Sequence, residues 1–169
     1  MTSPKHPFRI NVGFIIHEEV GYNHEFPFEF ETVDLGEDLS LADFSGVIEI
    51  GKTAQGLVAT GNFEGKTTLE CVRCLNDFTH ELNWGITELF AFKSEMVNDD
   101  DVLPLPDSAQ IDFGPILREY ALLEVPIKPL HSPDCKGLCL ECGQDLNVKD
   151  CGHEDVDSDS PFSALKNLL

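Results

Sequence analysis

Thr67-Thr68-Leu69-Glu70-Cys71-Val72-Arg73-Cys74-Leu75-Asn76-Asp77 is the stretch on which the fold turns. Its first half, Thr67 to Val72, is rich in residues that suit a pleated, half-buried surface and reads as a strand. Arg73 to Asp77 is polar and turn-forming. Phe78 to Phe92 then carries Thr79, Leu82, Trp84, Ile86, Leu89 and Phe90 and reads as the next strand. A Cys-x2-Cys pair, Cys71 and Cys74, thus sits at a hairpin end, where a metal or a partner could reach it.

Outward from this hairpin the same signal repeats. Phe44 to Ile50 and Gly56 to Phe63 are two further strands, with Gly56 and Gly61 marking bends or bulges. Upstream, Phe8 to Ile16 reads as the first strand, and Gly21 and Asn23 mark a loop. Phe26-Pro27-Phe28-Glu29-Phe30-Glu31 alternates strictly, and Pro27 confines it to an edge or a strand start. Residues 34–43 are acidic and turn-rich. Strand signals this closely spaced, with Gly and Asn between them, predict an antiparallel meander forming a twisted or barrel-like sheet.

Residues 94–110 break the pattern and read as a mobile acidic loop. Asp99-Asp100-Asp101 is read as a solvated run rather than a cation site. Asp112 to Pro126 follows as the best helix in the chain. Asp112 or Gly114 can cap it, Pro115 suits its first turn and Pro126 ends it. Phe113, Ile116, Leu117, Tyr120 and Leu123 form a stripe that should pack on the sheet. The expected class is mainly β (α+β), with residues 1–130 as a β-rich domain including the packing helix at about 113–125. Residues 131–169 form a cysteine-rich segment that closes on a short helix starting at Ser160-Pro161.

That last segment holds most of the chemistry. Cys135, Cys139, Cys142 and Cys151, four of the six cysteines, fall within seventeen residues. Cys139-Leu140-Glu141-Cys142-Gly143 lets one tight turn aim two thiolates at a common point, with the glycine turning the backbone so its amides face the sulfurs. Cys151 and His153, two apart, face one ion if that segment is extended. The outline is a zinc hairpin with Cys3His ligands. Cys135 competes with His153 for the fourth position. Cys71 and Cys74 either share this site or belong to a separate one. They could also be reduced strand cysteines or a redox pair. Disulfides are the competing reading of the cluster, disfavoured by Cys-x2-Cys spacing without an export signal. His131, alone in an extended connector from Ile127 to Pro133, is read as a linker histidine rather than a ligand.

The formal net charge is −20, from 31 acidic and 11 basic residues. Such a surface repels phosphate backbones and attracts basic partners, although acidity can also serve solubility alone. No run of apolar residues is long enough for a membrane helix. Met1 to Pro7 lacks the apolar core of an export signal, so the expected compartment is the cytoplasm, with reduced thiols.

Cys71-Val72-Arg73-Cys74-Leu75, the Leu123-Glu124-Val125-Pro126-Ile127 helix end, Cys135-Lys136-Gly137-Leu138-Cys139 through Cys142-Gly143-Gln144-Asp145-Leu146-Asn147, and the closing Ser160-Pro161-Phe162-Ser163-Ala164-Leu165 resemble the YceD-like family. These are bacterial proteins linked to accumulation of large-subunit ribosomal RNA. The resemblance runs from about Phe44 onward and is most specific in the Cys-Lys-Gly-Leu-Cys-x2-Cys-Gly segment. Many members read Cys-x-Cys where this chain has Cys151-Gly152-His153, and histidine for thiolate is a chemically sensible ligand swap. The resemblance implies a process, ribosome biogenesis, rather than a reaction.

A structural zinc with four protein ligands leaves no position for a reactive water. No phosphate-binding loop or nucleophile triad is present in the sequence either. The expectation is a non-enzymatic accessory factor that binds a basic ribosomal protein or precursor particle. The alternatives are RNA binding through the zinc module and a thiol redox switch at Cys71 and Cys74. Lys136 and Lys149, among Asp134, Glu141, Asp145 and Asp150, make the cluster a poor phosphate surface.

Overall fold

The computed structural model describes residues 7–93 and 102–153. The expected C-terminal helix, the acidic stretch 154–159, the Asp99–Asp101 run and the first six residues lie outside the described residues. The chain divides into two compact units. One comprises Met1–Thr68 with Thr79–Ile127, the other Leu69–Phe78 with Lys128–Leu169.

The first unit is built on β2 (Asn23–Asp34), β3 (Ser40–Lys52), β4 (Gly56–Glu70), β5 (Asp77–Ala91) and β6 (Val102–Pro104), which follow one another in space in that order. A second, two-stranded sheet pairs β1 (Arg9–Asn11) with β7 (Gln110–Asp112), Ile10 opposite Ile111. Helix α1 (Gly13–Ile16) is a single turn; α2 (Gly114–Glu124) is the packing helix.

Several expectations change. Among the described residues the larger sheet is open, with β2 and β6 at its edges, and does not close into a barrel. It is also not wholly antiparallel, because β6 runs parallel to β5. The expected first strand stops at Asn11, and Gly13 onward turns into α1, where the Asn11 side chain accepts the Gly13 N–H at 2.9 Å. The two strands expected at 56–63 and 67–72 are one strand, β4. Gly61 is not a bend. It sits opposite Ile48 in the β3–β4 register, and a Cβ there would meet the Phe63 ring at 2.9 Å. The glycine leaves room for an aromatic side chain. Part of the segment read as a mobile loop, 94–110, instead forms β6 and the start of β7.

Alternation explains the core. Phe44, Ile48, Ile50, Leu57, Ala59, Phe63, Leu82, Trp84 and Ile86 are buried, and α2 contributes Leu117 and Ala121. Phe44, Phe63 and Trp84 pack as a triangle, with ring centroids 5.8, 5.6 and 6.0 Å apart. Each such side chain contributes about 1.5–3 kcal/mol on burial. Leu123, expected on the packing stripe, is 76% exposed, because the buried line of α2 passes through Ala121 instead. The opposite face of the sheet is acidic. Glu25, Glu29 and Glu64 are exposed there, Glu29 opposite Ser45 and Ser45 opposite Glu64. No described helix is long and apolar enough to cross a membrane.

Candidate metal centres

The second unit contains all six cysteines and two histidines, gathered into two groups. Cys71, Cys74, His131 and Cys135 form the first; Cys139, Cys142, Cys151 and His153 form the second. In each, the four ligand atoms lie within 4.8 Å of one another.

Both groups start from the same turn. In Cys71–Leu75 the Leu75 N–H donates to the Cys71 carbonyl at 2.9 Å, and the Cys71 N–H donates to the Asn76 carbonyl at 2.9 Å. In Cys139–Gly143 the Gly143 N–H donates to the Cys139 carbonyl at 2.9 Å, and the Cys139 N–H donates to the Gln144 carbonyl at 2.8 Å. The fifth residue is left-handed in both, with φ 59° at Leu75 and 72° at Gly143. This geometry brings the two sulfurs of a Cys-x2-Cys to one side of the turn.

The remaining ligands arrive differently. His131 and Cys135 are four apart on a turn in which the Cys135 N–H donates to the Ser132 carbonyl at 3.1 Å. Cys151 and His153 are not on an extended segment, as the sequence suggested. Gly152 between them has φ 74°, and its N–H donates to Asp150 Oδ1 at 2.8 Å. The left-handed glycine, rather than strand alternation, brings His153 Nδ1 to 3.4 Å from Cys151 Sγ.

The distances discriminate between chemistries. A disulfide needs sulfurs about 2.05 Å apart. All six cysteines are free, and Cys71 Sγ stands 3.8 Å from Cys135 Sγ. Ligands about 2.3 Å (S) and 2.0–2.1 Å (N) from a tetrahedral zinc lie about 3.8 Å (S to S) and about 3.5–3.6 Å (S to N) from each other. The observed S to N separations are 3.3 Å for Cys74–His131, 3.7 Å for Cys139–His153 and 3.4 Å for Cys151–His153. The Cys3His donors and their spacing therefore fit a tetrahedral metal ion in both groups.

Electrostatics point the same way. Burial pushes the Cys71 thiol up, but hydrogen bonds from the His131 side chain and from the His131, Cys74 and Arg73 backbones outweigh it and bring it down to about 5. At Cys74 the Asn76 backbone pulls down, yet burial and the Cys71 and Cys135 sulfurs raise it overall. Cys139 is lowered to about 7 by the Cys142 and Glu141 backbones and the Cys151 thiol. Cys151 is raised, the Cys139 and Cys142 sulfurs and burial overcoming its bond with the His153 backbone. One thiol in each group ionises easily and makes its neighbour hold its proton. A dication would relieve that crowding.

A polar frame holds the first group. Asn147 Nδ2 donates to Cys135 Sγ at 3.5 Å, and its Oδ1 accepts the Lys136 N–H at 2.8 Å. Asp145 accepts from the Asn147 N–H at 2.8 Å and from Asn76 Nδ2 at 3.2 Å. The Asn147 backbone bond, aided by the Asn147 and Asn76 side chains, holds the Asp145 carboxyl below its usual range. Arg73 donates to the Cys135 carbonyl at 2.7 Å, and the Leu138 N–H donates to the Arg73 carbonyl at 3.0 Å. Gly137, φ 77°, permits that approach.

The structure thus separates the two claimants for one position. His153 joins Cys139, Cys142 and Cys151, while Cys135 joins Cys71 and Cys74. The ligand-distance residue that sequence reasoning set aside is His131. Its signal was the His131-x3-Cys135 spacing, which ends on a cysteine that otherwise lacks a pair. In sequence Asn147 is a turn-forming residue and Asp145 one of the acidic residues around the cluster, and neither marks the frame that they form.

The family model described as "Large ribosomal RNA subunit accumulation protein YceD" matches residues 59–169, a stretch that includes all eight residues of the two groups. The chain belongs to this family. An uncharacterized protein of Mycobacterium tuberculosis is 29% identical to it over 160 residues, covering 92% of this chain and 74% of its own. YlbN of Bacillus subtilis, also uncharacterized, is 30% identical over 159 residues, covering 86% of this chain and 92% of its own. A chloroplastic YCED homolog 1 of Arabidopsis thaliana, named for large ribosomal RNA subunit accumulation, is 37% identical over 65 residues, 37% of this chain and 20% of its own. No solved structure matches. The YceD family is implicated in accumulation of large-subunit ribosomal RNA, and its matched region here carries two Cys/His groups that could each hold a metal ion.

Proposed function

We propose that this protein is a cytoplasmic, non-enzymatic, zinc-binding accessory factor in ribosome biogenesis. It supports accumulation of large-subunit ribosomal RNA by binding a basic ribosomal protein or a precursor particle. Family membership across residues 59–169 carries the process. The donor sets carry the metal, since three thiolates and one imidazole in tetrahedral spacing suit zinc. Bound zinc would neutralise the crowded thiolates and cross-link the turns. With four protein ligands filling each centre it would serve structure rather than catalysis.

Charge supports the choice of partner. At −20 the chain repels a bare phosphate backbone. Its sheet also places Glu25 directly opposite Glu49 in the β2–β3 register. Like charges so placed are destabilising for the sheet, and a cationic partner would relieve them.

The test is a pull-down from lysate at two salt concentrations, with and without ribonuclease. Large-subunit proteins should be retained after ribonuclease treatment and lost as salt rises. If they vanish with ribonuclease, and purified RNA alone binds well, the zinc module is an RNA-contact surface instead.

A further inference from the structure

The two groups share a turn and a donor set, yet they differ in two respects that control how a metal is held. The first is chain span. Cys74 faces His131, 57 residues away, and Cys71 faces Cys135, 64 residues away. An ion there fastens distant segments. Cys139 and His153 are only 14 residues apart, so an ion there closes a local loop. The second is access. Cys71, Cys74 and Cys135 are 0%, 4% and 3% exposed, with only His131 at the surface. In the second group Cys142 and His153 are exposed and Cys151 is half-buried; Cys139 alone is covered.

We propose that the chain carries two metal centres with different exchange behaviour: a permanent one at Cys71, Cys74, His131 and Cys135, and one at Cys139, Cys142, Cys151 and His153 whose ion exchanges with solution while the protein stays folded. This rests on the metal reading given above and adds to it a division between the centres. An incoming ligand can approach the second ion beside Cys142 and His153 and displace them one at a time. Only the two ends of the loop, 139–142 and 151–153, then have to open, while Asp145 and Asn147 in its middle stay bonded to Asn76 and Cys135. Displacing the first ion means exposing three buried sulfurs and breaking the frame of Asn147, Asp145 and Arg73 around them. The ion class is a soft, thiolate-preferring divalent cation, and no electron transfer is involved. The exchangeable centre makes the local conformation of 139–142 and 151–153 responsive to free metal, whereas the buried centre does not respond.

Native mass spectrometry of the full chain, purified without chelator, should show two zinc ions. Excess EDTA at neutral pH should remove one, with the far-ultraviolet circular dichroism unchanged. Iodoacetamide should then label Cys139, Cys142 and Cys151 and leave Cys71, Cys74 and Cys135 protected. Cys142→Ser should carry a single ion from the start and lose nothing further under the same treatment. Both ions leaving in one step would overturn the division, as would two ions inert to EDTA or labelling that begins at Cys71 and Cys74. A freshly purified chain without any metal would overturn the metal reading itself.

Discussion

Cys71–Leu75 and Cys139–Gly143 are the same turn made by different sequences in different surroundings. Both close with the fifth N–H on the first carbonyl, and both hold the fifth residue left-handed. Yet one uses Leu75 and the other Gly143. A left-handed leucine costs about 1–2 kcal/mol relative to its usual conformations, which glycine avoids. The first turn sits between the ends of β4 and β5, and its flanking hydrogen bonds to Pro129 and Asn76 hold Leu75 in place. The second is flanked only by the isolated antiparallel bridge of Leu138 and Asp145, and uses the residue that needs no help. Surroundings can thus substitute for sequence in shaping a metal-binding turn.

The strongest way to break this parallel is to remove a sulfur from each turn. Cys74→Ser should cost several kcal/mol, since structural zinc binding is itself folding free energy. The expected readout is a large fall in thermal midpoint, far beyond that of Cys142→Ser. Equal losses would mean that burial and chain span do not distinguish the turns.

Acid should separate the two groups next. A thiol whose folded value is depressed contributes fully above the ordinary thiol range and loses that contribution as pH falls through its folded value. Cys139 stands at about 7 and Cys71 at about 5. In the metal-free chain Cys139 therefore takes its proton first, as pH falls through about 7, and Cys71 only near 5, so metal loss followed by mass spectrometry on acidification should begin at the second group. Loss beginning at the first group would reverse the order.

Backbone substitutions sharpen the comparison further. Gly137→Ala forces a side chain into φ 77° and puts its Cβ 3.0 Å from the Arg73 carbonyl. Destabilisation of about 1–2 kcal/mol in chemical denaturation is expected. Gly143→Ala has the same backbone cost with nothing within 4 Å, and should do less harm. The smallest effect is at Leu75→Gly. Release of left-handed strain opposes the added freedom of the unfolded chain, so stability should rise by no more than about 1 kcal/mol. A marked loss there would show that Leu75, 55% exposed, packs on something essential.

Strand positions were legible because alternation reports one-sided burial directly. Closure was not, since the same alternation serves an open sheet and a barrel. Gly61 was misread as a bend because a glycine that makes room for Phe63 looks, in one dimension, like a glycine that turns. Cys139, Cys142, Cys151 and His153 could be grouped from spacing, as they are local. The first group could not, because Cys71 and Cys74 meet His131 and Cys135 only across more than fifty residues of chain. The His131-x3-Cys135 spacing is the one local sign that His131 belongs with a sulfur, and it does not point to Cys71 or Cys74.

That long separation also sets an order in time. A ribosome adds about 5–20 residues per second. The 57 residues from Cys74 to His131 therefore take roughly 3–11 seconds to make. Throughout that interval Cys71 and Cys74 exist as half a centre on a growing chain, able to meet metal or oxidant before their partners are made. The second centre waits far less, since His153 follows Cys139 by 14 residues and is made roughly 1–3 seconds later. The turn that ends most deeply buried is the one that stays incomplete longest during synthesis.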